Sequence, residues 1–455
     1  MELIKGDWVG FNTIFYHEKT GKFSKNISDV IDYGNIEIDK EGLSAYLDYG
    51  YSVFGYTPVK YVKFLLPFQS LQVKSGTVEV CDNEDETVHK IGITTKEEFV
   101  IEKIEDNINS WASTFPEDII IPTSGGFDSR FLNMLVKDKS RIHAYTYGTS
   151  FNQNKSRETV YAKLLSDRLG IKWTRINLEK FNSYTDEWYA IFGPSAGASG
   201  TYHIEFFEKI FNIEKSRLCL LSGIIGDAWA GAVNISPVSD LMDYKVLGHT
   251  HGMNADYLKA TGVDYSSIIE PIYDKQKDNL KDPDYRIIAT MRTKMMLLKF
   301  LISIPQRYNF EGYSPFLEED IALAMLNLPK DRKHNRIWQR DFFKRHNVLF
   351  EEEKHSYTYQ NSLNYDVIKK HGLKPLNIQL LKEHFKKDYI EWVNRKISGI
   401  SAREAIFQTL MHTPKIKGMM KMLRFKNELM AAYFAYITIK PIENLLNLRN
   451  ESAKS

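Results

Sequence analysis

One stretch limits the folds open to this chain more than any other: Ile119-Ile-Ile-Pro-Thr-Ser124-Gly125-Gly126-Phe-Asp128-Ser129-Arg130. An apolar, β-branched run stops at a Ser-Gly-Gly turn, and a helix-like pattern follows, as where a buried strand passes into a helix. Ser124, Gly125 and Gly126 can bring backbone N–H groups close to an anion because no bulky Cβ blocks the approach. The helix opening near Asp128 adds its positive dipole end. Asp128 would repel a bare phosphate, so its expected task is to hold Mg²⁺ beside one. An ordinary glycine-rich strand-to-helix turn is the competing reading, and it stays open at this point.

The surroundings repeat the same alternation. Residues 97–112 place apolar side chains at helical spacing and lead into the strand at Ile119. Arg141–Gly148 reads as a second strand, Glu158–Gly170 as a helix, Lys172–Leu178 as a third strand and Leu218–Gly223 as a fourth. This order predicts an α/β fold with a doubly wound parallel sheet. Ligands of such sheets sit at the carboxyl ends of the strands, where the Ser-Gly-Gly turn and the Tyr147-Gly148 end of the second strand both fall. The fourth strand runs into another glycine-interrupted turn, Ser222-Gly223-Ile224-Ile-Gly-Asp227.

Strand, Ser-Gly-Gly-x-Asp-Ser and helix together resemble the pyrophosphate loop of the N-type ATP pyrophosphatases. The second turn narrows the likeness, because asparagine synthetases, β-lactam synthetases and lasso-peptide cyclases carry a Ser-Gly-x-Gly-x-Asp-type turn there. The resemblance implies an adenine nucleotide α-hydrolase-like domain binding ATP and Mg²⁺. Ser124, Gly125, Gly126, Asp128, Ser129, Tyr147, Gly148 and Gly223 would lie along the nucleotide, and Asp128 and Asp227 would share the metal. On its own residues, Asp227 could simply cap a helix starting at Ala228. Further along, Gly312-Tyr-Ser-Pro-Phe-Leu-Glu318 resembles the family's Val-Pro-Phe-Leu-Asp turn, followed in matching order by Asn327-Leu-Pro329 and Arg332. The family's pyrophosphate-neutralising lysine then becomes Arg336, with Arg340 after it; a solvated basic helix face is the alternative.

Two departures bear on the chemistry. Where asparagine synthetases place an acidic residue to take a proton from the incoming nitrogen, this chain has Ile224. Glu158 matches an acidic position of the family and is either a pocket carboxylate or compensation for a helix dipole. The small-residue stretch 191–203 corresponds to the family's acceptor pocket, which makes Ser199, Thr201 and His203 candidates, although a plain flexible loop is expected for any single one. The first 92 residues alternate aromatic and β-branched residues with turn residues, as expected of short antiparallel strands, and resemble the last third of a glutaminase domain. Glu2 stands where glutamine-hydrolysing relatives expose a cysteine nucleophile, so residues 1–92 are expected to be an inactive, shortened β domain.

With 455 residues, 60 basic against 58 acidic and a net charge of +2, nothing calls for nucleic acid or an anionic membrane. Cys81 and Cys219 are too few for a disulfide framework or zinc cluster, and Cys219 is expected to be buried and inert. No signal peptide or long apolar run is visible, so a cytoplasmic protein without stable membrane insertion is expected. Residues 93–350 form the expected synthetase-like domain and 351–455 a helical region, in which the basic amphipathic stretch 415–426 is expected to pack on the main domain. The resemblance implies ATP-dependent amide formation through an acyl-adenylate. The substrates would be a small-molecule, peptide or sugar carboxylate and an amine or ammonia, with room in the scheme for a separate protein that supplies ammonia or delivers substrate. A binding or scaffold protein that keeps the pocket without turnover is the first rival, and an RNA-modifying pyrophosphatase-loop enzyme the second.

Overall fold

The computed structural model describes residues 2–452 apart from residues 75, 216–217, 251, 359–360, 414–415, 417–421 and 423–425. Most of the basic stretch 415–426 therefore lies outside the described residues. Six short strands occupy the N-terminal segment: β1 (Glu2–Lys5), β2 (Phe15–His17), β3 (Phe23–Ser24), β4 (Val62–Phe64), β5 (Gln69–Lys74) and β6 (Thr77–Asp82). They pair antiparallel as β1-β5-β6 and β3-β2-β4. Helix α1 (Lys40–Tyr49) lies between them in sequence. Asp39 starts it by accepting the Gly42 N–H at 2.9 Å, and Gly50 ends it at φ 83°.

Helix α2 (Glu97–Ser113) buries Val100, Ile104, Ile108 and Ala112, a four-residue stripe that fits a surface helix laid on a core. It feeds a mixed α/β unit with a five-stranded sheet in which every pairing is parallel: β7 (Ile119–Pro122), β8 (Ile142–Thr146), β9 (Lys172–Arg175), β10 (Leu218–Leu221) and β11 (Phe310–Tyr313). The spatial order is β11-β10-β7-β8-β9. The chain thus builds outward from β7 through β8 and β9, then returns to the other side of β7 for β10 and β11. That reversal puts a crevice at the carboxyl ends of β7 and β10. β11 is an addition to the sequence reading, which took the segment around Gly312 only as a turn. Phe310-Glu-Gly-Tyr313 has no β-branched run, and it is the ladder to β10, Leu218 opposite Phe310, that makes it a strand.

The sheet is buried on both faces, so its strands alternate between two apolar clusters instead of between core and water. Ile119 and Ile121 point into one cluster with Phe127, Phe131, Trp229 and Trp338, while Ile120 and Tyr145 point into the other with Trp188, Phe206 and Phe207. Burying one such side chain is worth about 1.5–3 kcal/mol, so a charged residue at Ile120 would be among the most disruptive single changes. The second cluster runs on into the N-terminal segment and the helix Glu428–Ser452. The Tyr46 hydroxyl donates to the Thr438 carbonyl at 2.8 Å across that seam.

The stretch 191–203 differs from the plain flexible loop expected. Residues Phe192–Ala198 are buried, with the Gly197 N–H donating to Gly50 O at 2.8 Å and the Ala198 N–H to Ile437 O at 2.8 Å. Its small residues let three backbones approach closely; a Cβ on Gly197 would stand 2.9 Å from Gly50 O. Within the helical region expected over residues 351–455, Ile378–Leu381 is a single turn, followed by the helix Lys387–Ile397. Cys219 is buried in β10. No helix among the described residues is long and apolar enough to cross a membrane.

Candidate active site

The loop after β7 is held from beneath and closed loosely on itself, with the Gly126 N–H donating to Ser124 Oγ at 3.3 Å. Thr123 donates its N–H to Tyr145 O at 2.8 Å, and Asn133 Nδ2 donates to Thr123 Oγ1 at 3.0 Å and Ser129 O at 2.7 Å. The buried Arg130 guanidinium donates to Gly125 O at 2.6 Å and Val348 O at 2.8 Å, and pairs with both oxygens of Glu351 at 2.9 and 3.0 Å. Carbonyls of the turn are thereby pulled inward. Gly125 must be glycine: its φ is +67°, and a Cβ would lie 2.2 Å from Tyr161 Cβ. Helix α3 (Phe127–Leu135) follows with Gly126 as its N-cap, so no side chain caps its first-turn N–H groups. Ser129 turns back into the loop, accepting from the Ser124 N–H and donating to Gly126 O, both at 3.3 Å.

The loop after β10 abuts this one. A Cβ on Gly223 would come within 3.2 Å of Asp128 Cβ, so the absent side chain lets the two turns touch. Ile225 adopts φ 56°, unusual for a β-branched residue, and Gly226 sits so close that a Cβ would meet the Phe316 ring at 2.7 Å. That packing fixes the start of the one-turn helix Gly226–Trp229, which carries Asp227 in an exposed position. The helix is capped by no side chain, and Asp227 accepts no hydrogen bond that would mark it as a capping residue.

A third segment closes the site. Trp229 Nε1 donates to Phe316 O at 2.9 Å and Trp338 Nε1 to Ala230 O at 3.0 Å, tying the second loop to residues 315–317 and to the helix Ile337–Arg345. Just before that helix, Asn335 and Arg336 are both left-handed, at φ 50° and 55°. The turn they make brings the Arg336 guanidinium to 4.1 Å from the Phe127 ring centroid. Of the basic cluster, Arg332 is bound to Glu97 and Asp341, and Lys333 to Asp284. Arg336 and Arg340, both half-buried, have no such carboxylate partner. Arg336 alone is drawn electrostatically to Asp128.

Asp128 is the most perturbed group here. Its Oδ1 is buried and without a hydrogen-bond partner. Burial first, and repulsion from Asp227 second, raise its carboxyl from 3.8 to about 8, against the Arg336 charge and the Asp227 backbone N–H. A carboxylate left unsatisfied beside a second carboxylate is a site short of positive charge. Among the described residues no group of three or more His, Cys, Asp or Glu side chains gathers into a closed metal cage. A cation here would rest on two carboxylates from two loops and take its other ligands from phosphate oxygens and water, which suits Mg²⁺. The residues fit the metal that the resemblance implies.

Beside the first loop, a cavity of about 520 Å³ opens at the carboxyl ends of β7 and β8, lined by Ser124, Thr146, Tyr147, Glu158, His203 and Phe206 among others. Glu158 stands in the first turn of helix α4 (Arg157–Leu169) and also faces this cavity, with Oε1 accepting from Thr149 at 3.3 Å and Oε2 buried without a partner. Gly148 lets the chain turn beneath it, since a Cβ would meet Gln153 O at 2.3 Å. His203 is buried, its Nε2 lying 3.4 Å from the Tyr147 hydroxyl, and burial lowers its imidazole to about 3. Of the three residues singled out in stretch 191–203, His203 alone lines the cavity. Ile224, by contrast, points into the apolar cluster with Phe316 and Trp229.

Sequence reasoning missed Lys294 and Arg130. Lys294, on the helix Pro283–Leu298, is half-buried and senses Asp227; burial lowers its amine below the usual range while the Asp227 charge works the other way. A lysine inside a helix otherwise rich in methionine and isoleucine was the available signal. No protein-family model and no curated protein matches the chain. Among solved structures, it is similar to the NH3-dependent NAD synthetase of Campylobacter jejuni subsp. jejuni NCTC 11168 in complex with the nitrate ion, at 16% identity over 46% of this chain and 96% of that one, with a TM-score of 0.25.

Proposed function

We propose that this protein joins a carboxylate to an amine or ammonia at the expense of ATP, through an acyl-adenylate, in the manner of the asparagine-synthetase family. The observation that carries the reading is the pair Asp128 and Asp227, brought from two separate loops to the crevice beside β7 and β10, with Arg336 and Lys294 alongside. In this reading the triphosphate lies over the Ser124–Gly126 turn, taking over N–H groups that donate within the loop at 3.3 Å, and over the uncapped first turn of α3. The adenosine occupies the cavity at Tyr147, Gly148 and Glu158. Asp128 and Asp227 would hold Mg²⁺, which when bound offsets phosphate charge. A substrate carboxylate oxygen bonds to the α-phosphorus as the bond to the β-phosphate oxygen breaks, and pyrophosphate departs against Arg336 and Lys294. The amine nitrogen then bonds to the acyl carbon, AMP leaves with the electron pair of the broken C–O bond, and the nitrogen sheds a proton. Ile224 cannot accept that proton; Glu158, with one oxygen free, is the carboxylate available to do so.

Residues 1–92 and 351–455 serve in this reading as flanking regions packed on the nucleotide-binding unit. A second reading, a nucleotide-binding protein without turnover, is favoured by one observation, the burial of Ile224 in the core where an acidic residue is expected. The products decide between them. Incubation with ATP, Mg²⁺ and carboxylate–amine pairs should give AMP and pyrophosphate, lost in Asp227→Ala. ADP and phosphate as products would overturn the acyl-adenylate, and tight nucleotide binding with a biological role that survives Asp227→Ala would favour the second reading.

A further inference from the structure

A second cavity, of about 230 Å³, opens where the N-terminal segment meets the junction between helices Pro283–Leu298 and Phe300–Arg307. Lys299 sits at that junction, and Asn12, Thr13, Lys25, Ser195 and Ser303 line the cavity with it. No carboxylate does. Lys299 is 8% exposed, and its only charged-group contact among the described residues is with the Phe15 ring, 5.0 Å from Nζ. A buried ammonium without a counter-ion is costly, so such a group either gives up its proton or waits for an anion. Burial does lower the Lys299 amine, from 10.5 to about 7. Around it, the half-buried Ser303 and the exposed Asn12 and Gln306 line the cavity with polar side chains.

We propose that this cavity binds a small organic carboxylate, with its charge against Lys299 Nζ and its remaining polar atoms met by Asn12, Ser303 and Gln306. One planar carboxylate meets the single buried ammonium at Lys299 and a second on the same ligand can turn to the exposed Lys25 of the same lining, whereas a compact phosphate dianion would put both charges at Lys299 with no guanidinium to meet them. The anion is additional to the carboxylate activated at Asp128, because this cavity shares no lining residue with the one at Ser124 and Glu158. The two are nonetheless linked. Phe300, directly after Lys299, packs its ring 5.1 Å from His203, and His203 lines the cavity at Glu158. An occupied Lys299 cavity therefore bears on the wall of the proposed nucleoside pocket, as an effector or a positioning group would.

Calorimetric titration of the full-length chain with glutarate, and separately with inorganic phosphate, tests this in the absence of nucleotide, so the result does not depend on the ATP reading. Glutarate should bind, and bind at least tenfold more weakly to Lys299→Met, in which a side chain of similar length removes the unpaired charge. Equal affinity in that variant, no glutarate binding by the wild type, or preference for phosphate would overturn the proposal. A second readout needs no variant. Acetylation of wild-type lysines by acetic anhydride, followed by peptide mass spectrometry, should slow at least fivefold at Lys299 when glutarate is present and stay unchanged at Lys294. No slowing at Lys299, or equal slowing at both, would overturn it too.

Discussion

Two residues apart on α3, Arg130 and Asp128 stand in opposite electrostatic states. Arg130 is fully buried and its Nε has no partner, yet Glu351 and the carbonyls of Gly125 and Val348 occupy both terminal nitrogens of its guanidinium and Glu351 matches its charge. Asp128 is only partly buried, yet its Oδ1 has no partner and its nearest carboxylate, Asp227, repels it. One charge is matched within the chain and sets the shape of the loop. The other is unmatched within the chain and awaits a ligand. A charge the fold has satisfied is architecture, and a charge it has left unsatisfied a few ångströms away is a site.

Breaking the satisfied charge should have the largest effect. Arg130→Met strands Glu351 and takes donors from two carbonyls, so it should cost about 3–5 kcal/mol, toward the lower figure because Arg157 remains 3.6 Å from Glu351. Denaturant unfolding would measure it. Burial tends to raise the Glu351 carboxyl, but the hydrogen bonds and charge of Arg130 outweigh burial and hold it below the usual 4.5. A lowered folded-state value stabilises above the unfolded one and is lost as pH falls through the folded one. The gap between wild type and variant should thus be full at neutral pH and shrink only below about 4.5. A gap that persists undiminished at pH 2 would mean that packing, not charge, holds the loop.

The unsatisfied charge predicts the opposite sign. Asp128→Asn should stabilise the ligand-free chain by about 1–3 kcal/mol, because it removes a shielded carboxylate from beside another. Its folded-state value of about 8 lies above the ordinary 3.8, so the proton favours the fold below 3.8 and that contribution is lost as pH rises through 8. The gain from Asp128→Asn should therefore be near zero at pH 3.5, grow between pH 4 and 8, and level off above. The same variant should lose Mg²⁺-dependent nucleotide binding. Destabilisation by Asp128→Asn in the ligand-free chain would break the comparison.

Arg336→Lys sharpens it at smaller scale. Lysine keeps the charge but loses the planar stacking on Phe127 and the two-pronged grip on phosphate, so affinity for a non-hydrolysable ATP analogue should fall about tenfold, close to 1.4 kcal/mol. Thermal stability should stay within about 0.5 kcal/mol, since the charge is kept and the partly exposed stacking on Phe127 is worth little more than that.

Much of the site was legible because local chemistry encodes it. Gly125 at φ +67° against Tyr161, and the strand–turn–helix order around it, follow from rules that act over a few residues. Asp227 was expected as the second carboxylate from the resemblance of its glycine-interrupted turn to the family's, not from local rules. What stayed hidden depends on distant partners. Phe310–Tyr313 is a strand because β10 is beside it, Arg130 matters because Glu351 arrives from 221 residues away, and Lys294 counts because its helix passes Asp227. Stretch 191–203 read as a loose loop because its glycines and serines resemble a linker, and only Gly50 and Ile437 show why they are small.

Arg332 gives the smallest and most discriminating effect. In sequence it stands with Lys333, Arg336 and Arg340 as one basic cluster, and it fits the family pattern no worse than Arg336 does. In the fold it spans Glu97 and Asp341, with side-chain exposures of 30%, 16% and 46%. Salt bridges so open to water are worth about 0–1 kcal/mol, and a guanidinium already carrying two carboxylates brings little net positive charge to a phosphate. Arg332→Gln should therefore change stability by less than about 1 kcal/mol and leave ATP-analogue affinity within twofold, where Arg336→Lys moves affinity alone. If Arg332→Gln instead weakened nucleotide binding as much as Arg336→Lys, an internal partner would not disqualify a charge from the site, and the distinction drawn between Arg130 and Asp128 would lose its force.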